Sequence, residues 1–242
     1  MDSDKERVEG VVSSRRKFLG AAGILATGGV SSAIGGDETR DSSSTDVTPK
    51  GIRWGMVIDL RKCTGCHTCS VACKSEMDVP LGVWNAWVKE VEVGEYPNVK
   101  RHFLPRLCNH CQKPPCVKVC PTTASHVRED GIVQVDGDKC ISCKLCISAC
   151  PYNARYTHPD THVAAKCNFC IHRVDKGLEP SCVNGCPMKA RTFGNLNDPE
   201  SEVSKLIIQE GAITLKSELG TQPSVYYIAP NQEVMGQIKK EV

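Results

Sequence analysis

Cys140-Ile141-Ser142-Cys143-Lys144-Leu145-Cys146-Ile147-Ser148-Ala149-Cys150-Pro151 spaces four cysteines as C-x2-C-x2-C-x3-C and follows the last with proline. The rhythm recurs along the chain. Cys63, Cys66, Cys69 and Cys73 repeat it without the proline. Cys108, Cys111, Cys116 and Cys120 widen one interval to x4. Cys167, Cys170, Cys182 and Cys186 widen the same interval to x11. Pro121 and Pro187 follow these two groups. All 16 cysteines of the 242-residue chain are used, so the cysteine pattern amounts to an internal repeat.

A cubane iron–sulfur cluster needs four thiolates around a compact object, and x2 loops let successive cysteines reach neighbouring corners. The run C-x2-C-x2-C-x3-C gives three ligands to one cluster and its fourth to the other cluster of a pair. Four runs therefore make two two-cluster modules. Two other chemistries use many cysteines. A disulfide scaffold fits an even count in an exported chain, but cysteines two residues apart in tight turns bridge only with strain. Zinc ribbons use cysteine pairs and leave a three-cysteine run unexplained.

Composition agrees with a fold held by its metal. Aromatics make up 5 % and hydrophobic residues 40 %, too few for a large conventional core, so cross-links must stabilise the fold. The formal charge of +2 treats cysteine as neutral. Four clusters would add roughly −8, at about −2 each when oxidised. The scattered Lys and Arg then offset cluster charge, and no nucleic-acid patch is expected. The sequence shows no nucleophile–base pair, phosphate loop or paired carboxylates, and the chain reads as non-catalytic. His67 and His110 lie inside cysteine loops, but no cysteine is missing for a histidine to replace. They read as supporting residues, and Trp54, Trp84 and Trp87 as packing.

Short elements surround the groups. Arg53–Leu60 and Gly131–Val135 read as strands, Val88–Val93 as a half-exposed strand, and Ala154–Ala165 as a hairpin around Pro159-Asp160. The x3 stretch before each last cysteine suits a helical turn, redirected by the following proline. Asp198-Pro199 reads as a helix start, with Val203, Leu206 and Ile207 on one face, and the tail from Gly220 as extended. The organisation expected is a signal region at 1–36, a linker at 37–51, a four-cluster domain at 52–200, and a C-terminal helix with extended tail at 201–242. Ser14-Arg15-Arg16-Lys17-Phe18-Leu19 resembles a twin-arginine export signal. A weakly apolar, glycine-rich run to Gly36 and a polar linker follow it. Arg15 and Arg16 are the expected recognition pair, the translocase a partner, and the periplasm the destination.

From about Arg53 to Gly194 the chain resembles the four-cluster iron–sulfur subunit of respiratory molybdenum enzymes. That family includes the electron-transfer subunits of dimethyl sulfoxide, polysulfide and tetrathionate reductases and the ferredoxin-like protein of formate-dependent nitrite reduction. The resemblance rests on the sixteen cysteines in order, Met56-Val57-Ile58-Asp59, Leu107-Cys108-Asn109-His110-Cys111 and Cys150-Pro151-Tyr152. Thr192-Phe193-Gly194-Asn195-Leu196 and Leu219-Gly220-Thr221 look most like the nitrite and polysulfide members. Arg128-Glu129-Asp130-Gly131-Ile132-Val133 looks like the tetrathionate member. It implies an α+β fold of two ferredoxin-like modules related by pseudo-symmetry, with short strands and helical turns. It implies four [4Fe–4S] clusters, ligated by Cys63, Cys66, Cys69 and Cys186; by Cys73, Cys167, Cys170 and Cys182; by Cys108, Cys111, Cys116 and Cys150; and by Cys120, Cys140, Cys143 and Cys146. The implied partners are a molybdopterin catalytic subunit and a quinone-reactive integral membrane subunit, at the outer face of the cytoplasmic membrane. A free-standing periplasmic polyferredoxin and an exported disulfide or zinc protein are the alternatives.

Overall fold

The computed structural model describes residues 51–241. The proposed signal, Arg15 and Arg16 included, lies outside the described residues. The first strand, β1 (Trp54–Asp59), is the apolar run ahead of the first cysteine group, and five of its six residues are buried. It leads into α1 (Thr68–Met77), which carries Cys69 and Cys73. A long antiparallel ribbon follows, β2 (Ala86–Val93) pairing along its length with β3 (Lys100–Leu107). Its register puts Ala86 opposite Leu107 and Val91 opposite His102, so one face packs inward.

Each remaining cysteine group is built around a single helical turn. These are α2 (Pro115–Lys118) with Cys116, α3 (Leu145–Ser148) with Cys146, and, after the turn α4 (Ile171–Val174), α5 (Ser181–Asn184) with Cys182. Two short hairpins lie between them. One pairs β4 (Ser125–Val127) with β5 (Val133–Val135), and the other pairs β6 (Tyr156–Thr157) with β7 (Ala164–Ala165). β8 (Arg191–Asn195) then returns to pair antiparallel with β1, and β9 (Val225–Ile228) adds a parallel partner on the other edge. The three-stranded order is β8-β1-β9. Small helices and strands thus alternate throughout, an α+β arrangement.

Two expectations for the C-terminal region need correction. The helix after Pro199 is α6 (Glu202–Gln209), and its N-cap is Ser201, whose side chain accepts from the Ser204 N–H at 3.2 Å. Asp198 instead closes a turn one step earlier, accepting from the Glu200 N–H at 2.9 Å. That extra turn brings Val203 onto Val57 and Ile228 in a small apolar cluster. The tail is not wholly extended. It ends in α7 (Gln232–Glu241), whose Val234, Met235 and Ile238 are buried against the main core and β2.

The core is continuous and unusual in composition. Met56, Ile58, Leu104, Leu107, Ile132, Tyr152, Phe169, Tyr227 and Ile238 are buried in one cluster with Cys69, Cys73, Cys108, Cys111, Cys150, Cys167 and Cys182. These seven cysteines are therefore inside the apolar core, where a low dielectric strengthens every charge they meet.

Candidate metal centres

Local backbone geometry explains how each C-x2-C loop closes. The residue before the second cysteine of every group has a left-handed φ: Gly65 (70°), His110 (41°), Ser142 (57°) and Phe169 (55°). That conformation curls the loop and turns successive N–H groups toward its hollow, making an anion-binding nest. Only glycine adopts it freely. At Gly65 a Cβ would meet the Phe103 ring at 2.3 Å, so glycine is required there on two counts. The third cysteine of each group then opens a helix, as the second residue of α1, α2, α3 and α5. The fourth lies within α1 in the first group, as Cys73, and two residues beyond the short helix in the others.

No disulfide joins any of the sixteen cysteines. They line hollows instead. Cys63, Cys66, Cys69 and Cys186 line one small hollow, Cys120, Cys140, Cys143 and Cys146 a second, and Cys108, Cys111, Cys116 and Cys150 a third. Cys73 lies within electrostatic reach of Cys170 and Cys182, and Cys167 within reach of Cys73 and Cys182, which gathers the remaining four. Cys167 is also within reach of Cys108, and Cys182 within reach of Cys69. Cys116 and Cys146 share one small buried cluster, so the four sets adjoin in the order Cys63/66/69/186, Cys73/167/170/182, Cys108/111/116/150, Cys120/140/143/146.

Exposure differs along this row. The two middle sets consist of buried cysteines alone. Each end set has one exposed cysteine, Cys66 or Cys143, two half-buried ones and one buried. In the middle sets burial pushes Cys73 up to about 12 and both Cys116 and Cys170 up to about 11. At the ends, hydrogen bonds to the Thr68 hydroxyl and backbone lower the Cys66 thiol. Burial opposes the same shift at Cys120, but the Ser125 N–H and the Thr122 hydroxyl outweigh it.

Two buried arginines among the cysteines are missed by sequence reasoning. Arg191, 3 % exposed, donates from Nη2 to Cys69 Sγ at 3.4 Å and from Nη1 to Cys182 Sγ at 3.6 Å. Arg155, 5 % exposed, donates from Nη2 to Cys116 Sγ at 3.0 Å and from Nη1 to Ser125 Oγ at 2.7 Å. Cys146 is also near enough to act on its charge. Neither forms an ion pair with a carboxylate among the described residues. The signal is present in sequence as a repeat: Cys150-Pro151-Tyr152-Asn153-Ala154-Arg155 and Cys186-Pro187-Met188-Lys189-Ala190-Arg191 share Cys-Pro-x2-Ala-Arg.

These arginines test what the hollows hold. A buried guanidinium is strongly destabilising unless a negative group compensates it. Protonated thiols would leave it uncompensated, whereas metal binding makes each one a thiolate. The donor set thus fits an anionic metal–sulfur centre. A single zinc ion draws its sulfurs to about 2.3 Å, yet among the described residues no three His, Cys, Asp or Glu side chains converge on one point. Sulfurs ringing a hollow suit a cluster better than a single ion.

His110 is fully buried, accepts from the Val133 N–H at Nδ1 (3.1 Å), and stacks on Phe169 at 3.7 Å between ring centroids. Burial first, then the positive Lys166 and Arg155, hold its imidazole well below its ordinary pKa. It is a neutral spacer that locks the second cysteine loop onto the fourth. Trp54 stacks on Phe193 at 5.2 Å, Lys74 Nζ sits 4.4 Å above Trp84, and Arg106 sits 5.4 Å from the centre of Trp87. All three tryptophans pack. His67 takes a left-handed conformation just before α1.

Residues 99–196 match the 4Fe-4S dicluster domain family, and residues 54–75 match a 4Fe-4S binding domain. A tetrathionate reductase component of Salmonella typhimurium is 40 % identical over 220 residues, covering 89 % of this chain and 88 % of that protein. Protein NrfC of Escherichia coli K12 is 44 % identical over 218 residues, covering 89 % and 95 %. The arsenate respiratory reductase iron-sulfur protein ArrB of Shewanella sp. ANA-3 is 41 % identical, covering 73 % and 96 %. The chain belongs to this family of iron–sulfur reductase subunits. The chain is accordingly an iron–sulfur electron-transfer subunit of a reductase complex, a non-catalytic component. No helix among the described residues is long and apolar enough to cross a membrane.

Proposed function

We propose that the chain holds four [4Fe–4S] clusters in two ferredoxin-like modules. Through them it relays electrons between a quinone-reactive membrane subunit and a molybdopterin catalytic subunit. The ligand sets are the four adjoining sets of cysteines, and the periplasmic face is reached by the twin-arginine route through Arg15 and Arg16. When bound, such clusters supply one-electron redox chemistry over roughly −700 to +450 mV.

The observation that carries this reading is the gradient of exposure. A relay needs an entrance and an exit at the surface and an interior closed to water. The middle sets are sealed in the apolar core, and Cys66 and Cys143 mark the two ends. Beside Cys143, Ile141 and Leu145 are exposed apolar side chains, and Val71 and Met188 play that part near the other end. Exposed apolar groups of this kind suit docking of a partner. The four left-handed loop residues and the repeated Cys-Pro-x2-Ala-Arg stretches support the two-module arrangement. Protein residues do the remaining work. Backbone N–H groups donate to sulfur, Ala190 to Cys186 at 3.3 Å and Ser125 to Cys120 at 3.4 Å, and so tune each centre through hydrogen bonding.

The test is to compare Cys143→Ser and Cys66→Ser in the assembled complex after iron analysis. In Cys143→Ser, quinol-driven turnover falls sharply while an artificial dye still reduces the catalytic subunit. In Cys66→Ser the end beside the catalytic subunit is disturbed. Undiminished quinol-driven turnover in Cys143→Ser, with its cluster shown to be lost or altered, overturns the orientation.

A further inference from the structure

Arg191 and Arg155 occupy equivalent places. Each follows the fourth cysteine of its group by five residues, in the shared sequence Cys-Pro-x2-Ala-Arg. Arg191 touches Cys69 of an end set and Cys182 of the adjoining middle set. Arg155 bonds Cys116 of a middle set, and Cys146 of the adjoining end set, which shares a buried cluster with Cys116, is within electrostatic reach of it. In all four cases the sulfur belongs to the third cysteine of its group. Where the third group's Arg155 has a counterpart in the second group, after Cys120, the chain places Ser125. That hydroxyl accepts from Arg155 and steadies it. Each half of the molecule thus has one buried guanidinium shared between an outer and an inner cysteine set.

We infer that Arg191 and Arg155 are shared counter-charges, each raising the reduction potentials of the outer and inner clusters it stands between. This rests on the cluster assignment above. A guanidinium remains charged at every pH the protein meets, so no proton moves when an electron arrives. The arriving electron adds one negative charge to a cluster whose sulfur already accepts an N–H bond from the arginine. The attraction grows on reduction, and the reduced form is favoured. In a core that excludes water this attraction is weakly screened. Because each guanidinium stands between two cysteine sets, it moves two potentials in the same direction and keeps neighbouring clusters in step. An ammonium, a compact point donor, cannot span both sulfurs in the same way.

The experiment uses the full chain, purified anaerobically, with R191Q, R191K, R155Q and R155K. Iron and sulfide are measured first, and then each cluster's potential by electron paramagnetic resonance during a redox titration. A wild-type chain with fewer than four clusters sinks the cluster assignment itself. With four clusters present, R191Q is expected to lower two potentials and R155Q the other two. At a fixed potential near the midpoint, the reduced-to-oxidised ratio of each affected cluster falls by about tenfold, equivalent to about 59 mV for one electron. In each Lys variant at least one of the two affected clusters also falls. Filled Gln variants with all potentials unmoved overturn the inference, as does a shift spread evenly over all four. If a Gln variant loses iron, its Lys counterpart decides. A filled Lys variant with one or both of the same pair lowered supports the inference. Lost clusters or unchanged potentials in the Lys variant assign the arginine a scaffolding role alone and overturn it.

Discussion

Gly65→Ala isolates the geometry that closes the first cysteine loop. The residue stands at φ 70°, and its new Cβ would lie 2.3 Å from Cδ1 and Cε1 of Phe103 on β3. The left-handed conformation costs an alanine roughly 1–2 kcal/mol. Pushing aside the half-buried ring adds about 1–3 kcal/mol of overpacking. The sum is about 2–5 kcal/mol. Since chelation and unfolding of a metal protein are not a simple two-state equilibrium, the appropriate assay is the rate at which brown absorbance bleaches in guanidinium chloride under argon. If the strain is released before the barrier to opening, about 3 kcal/mol accelerates bleaching roughly a hundredfold. Phe103→Ala in the same chain removes the clash but leaves the backbone penalty. The double variant is therefore expected to recover the overpacking share and retain about 1–2 kcal/mol of the defect. A Gly65→Ala protein that bleaches at the wild-type rate refutes the account. So does a double variant no better than the single one.

Three further outcomes are expected. Anaerobically purified chain will contain roughly sixteen iron and sixteen sulfide, and stripping them will abolish the native circular dichroism, because the cysteines form much of the core; a well-ordered apo form contradicts this. Ser201→Ala will lower stability by about 0.5–2 kcal/mol through loss of the α6 cap, while Asp198→Ala will cost less, and thermal bleaching midpoints measured side by side will separate the two. Changing Arg15 and Arg16 together to Lys will leave a cluster-filled protein in the cytoplasm, since the ammonium lacks the planar fork; cell fractionation showing normal delivery would oppose this.

The chemistry is far more legible in the sequence than the architecture, for physical reasons visible residue by residue. Cluster-type cysteines lie two or three positions apart, so their meaning is local and survives without a structure. β1, β2 and the Tyr156–Ala165 hairpin announce themselves through alternation and turn residues, which are also local. Helix α7 does not. Its sequence is polar and contains Gly236, and its stripe of Val234, Met235 and Ile238 has meaning only against the core it covers. Pro199 invites a helix start at Asp198, but the chain needs another turn to bring Val203 onto Val57. The repeated Cys-Pro-x2-Ala-Arg is equally readable as letters. Only three-dimensional proximity shows that its last residue reaches sulfur across two cysteine sets. Long-range contacts of that kind carry no periodicity to detect.

Strand order has a consequence for how the molecule comes into being. β1, near the start of the described chain, is hydrogen-bonded on one edge to β8 and on the other to β9. The hollow that begins with Cys63 is closed by Cys186. Thr221 and Gln222 accept backbone bonds from the loop after Cys111, and the Ser224 N–H donates to Asn109. Nothing at the amino-terminal side can therefore be sealed until the carboxyl-terminal segment has left the ribosome. Completing the sets that need Cys182 and Cys186 is a late event, in which iron, sulfide and a nearly finished polypeptide must meet in one place. A translocase that threads unwound chains would have to send those inorganic parts across separately, whereas one that passes folded cargo can carry them already installed.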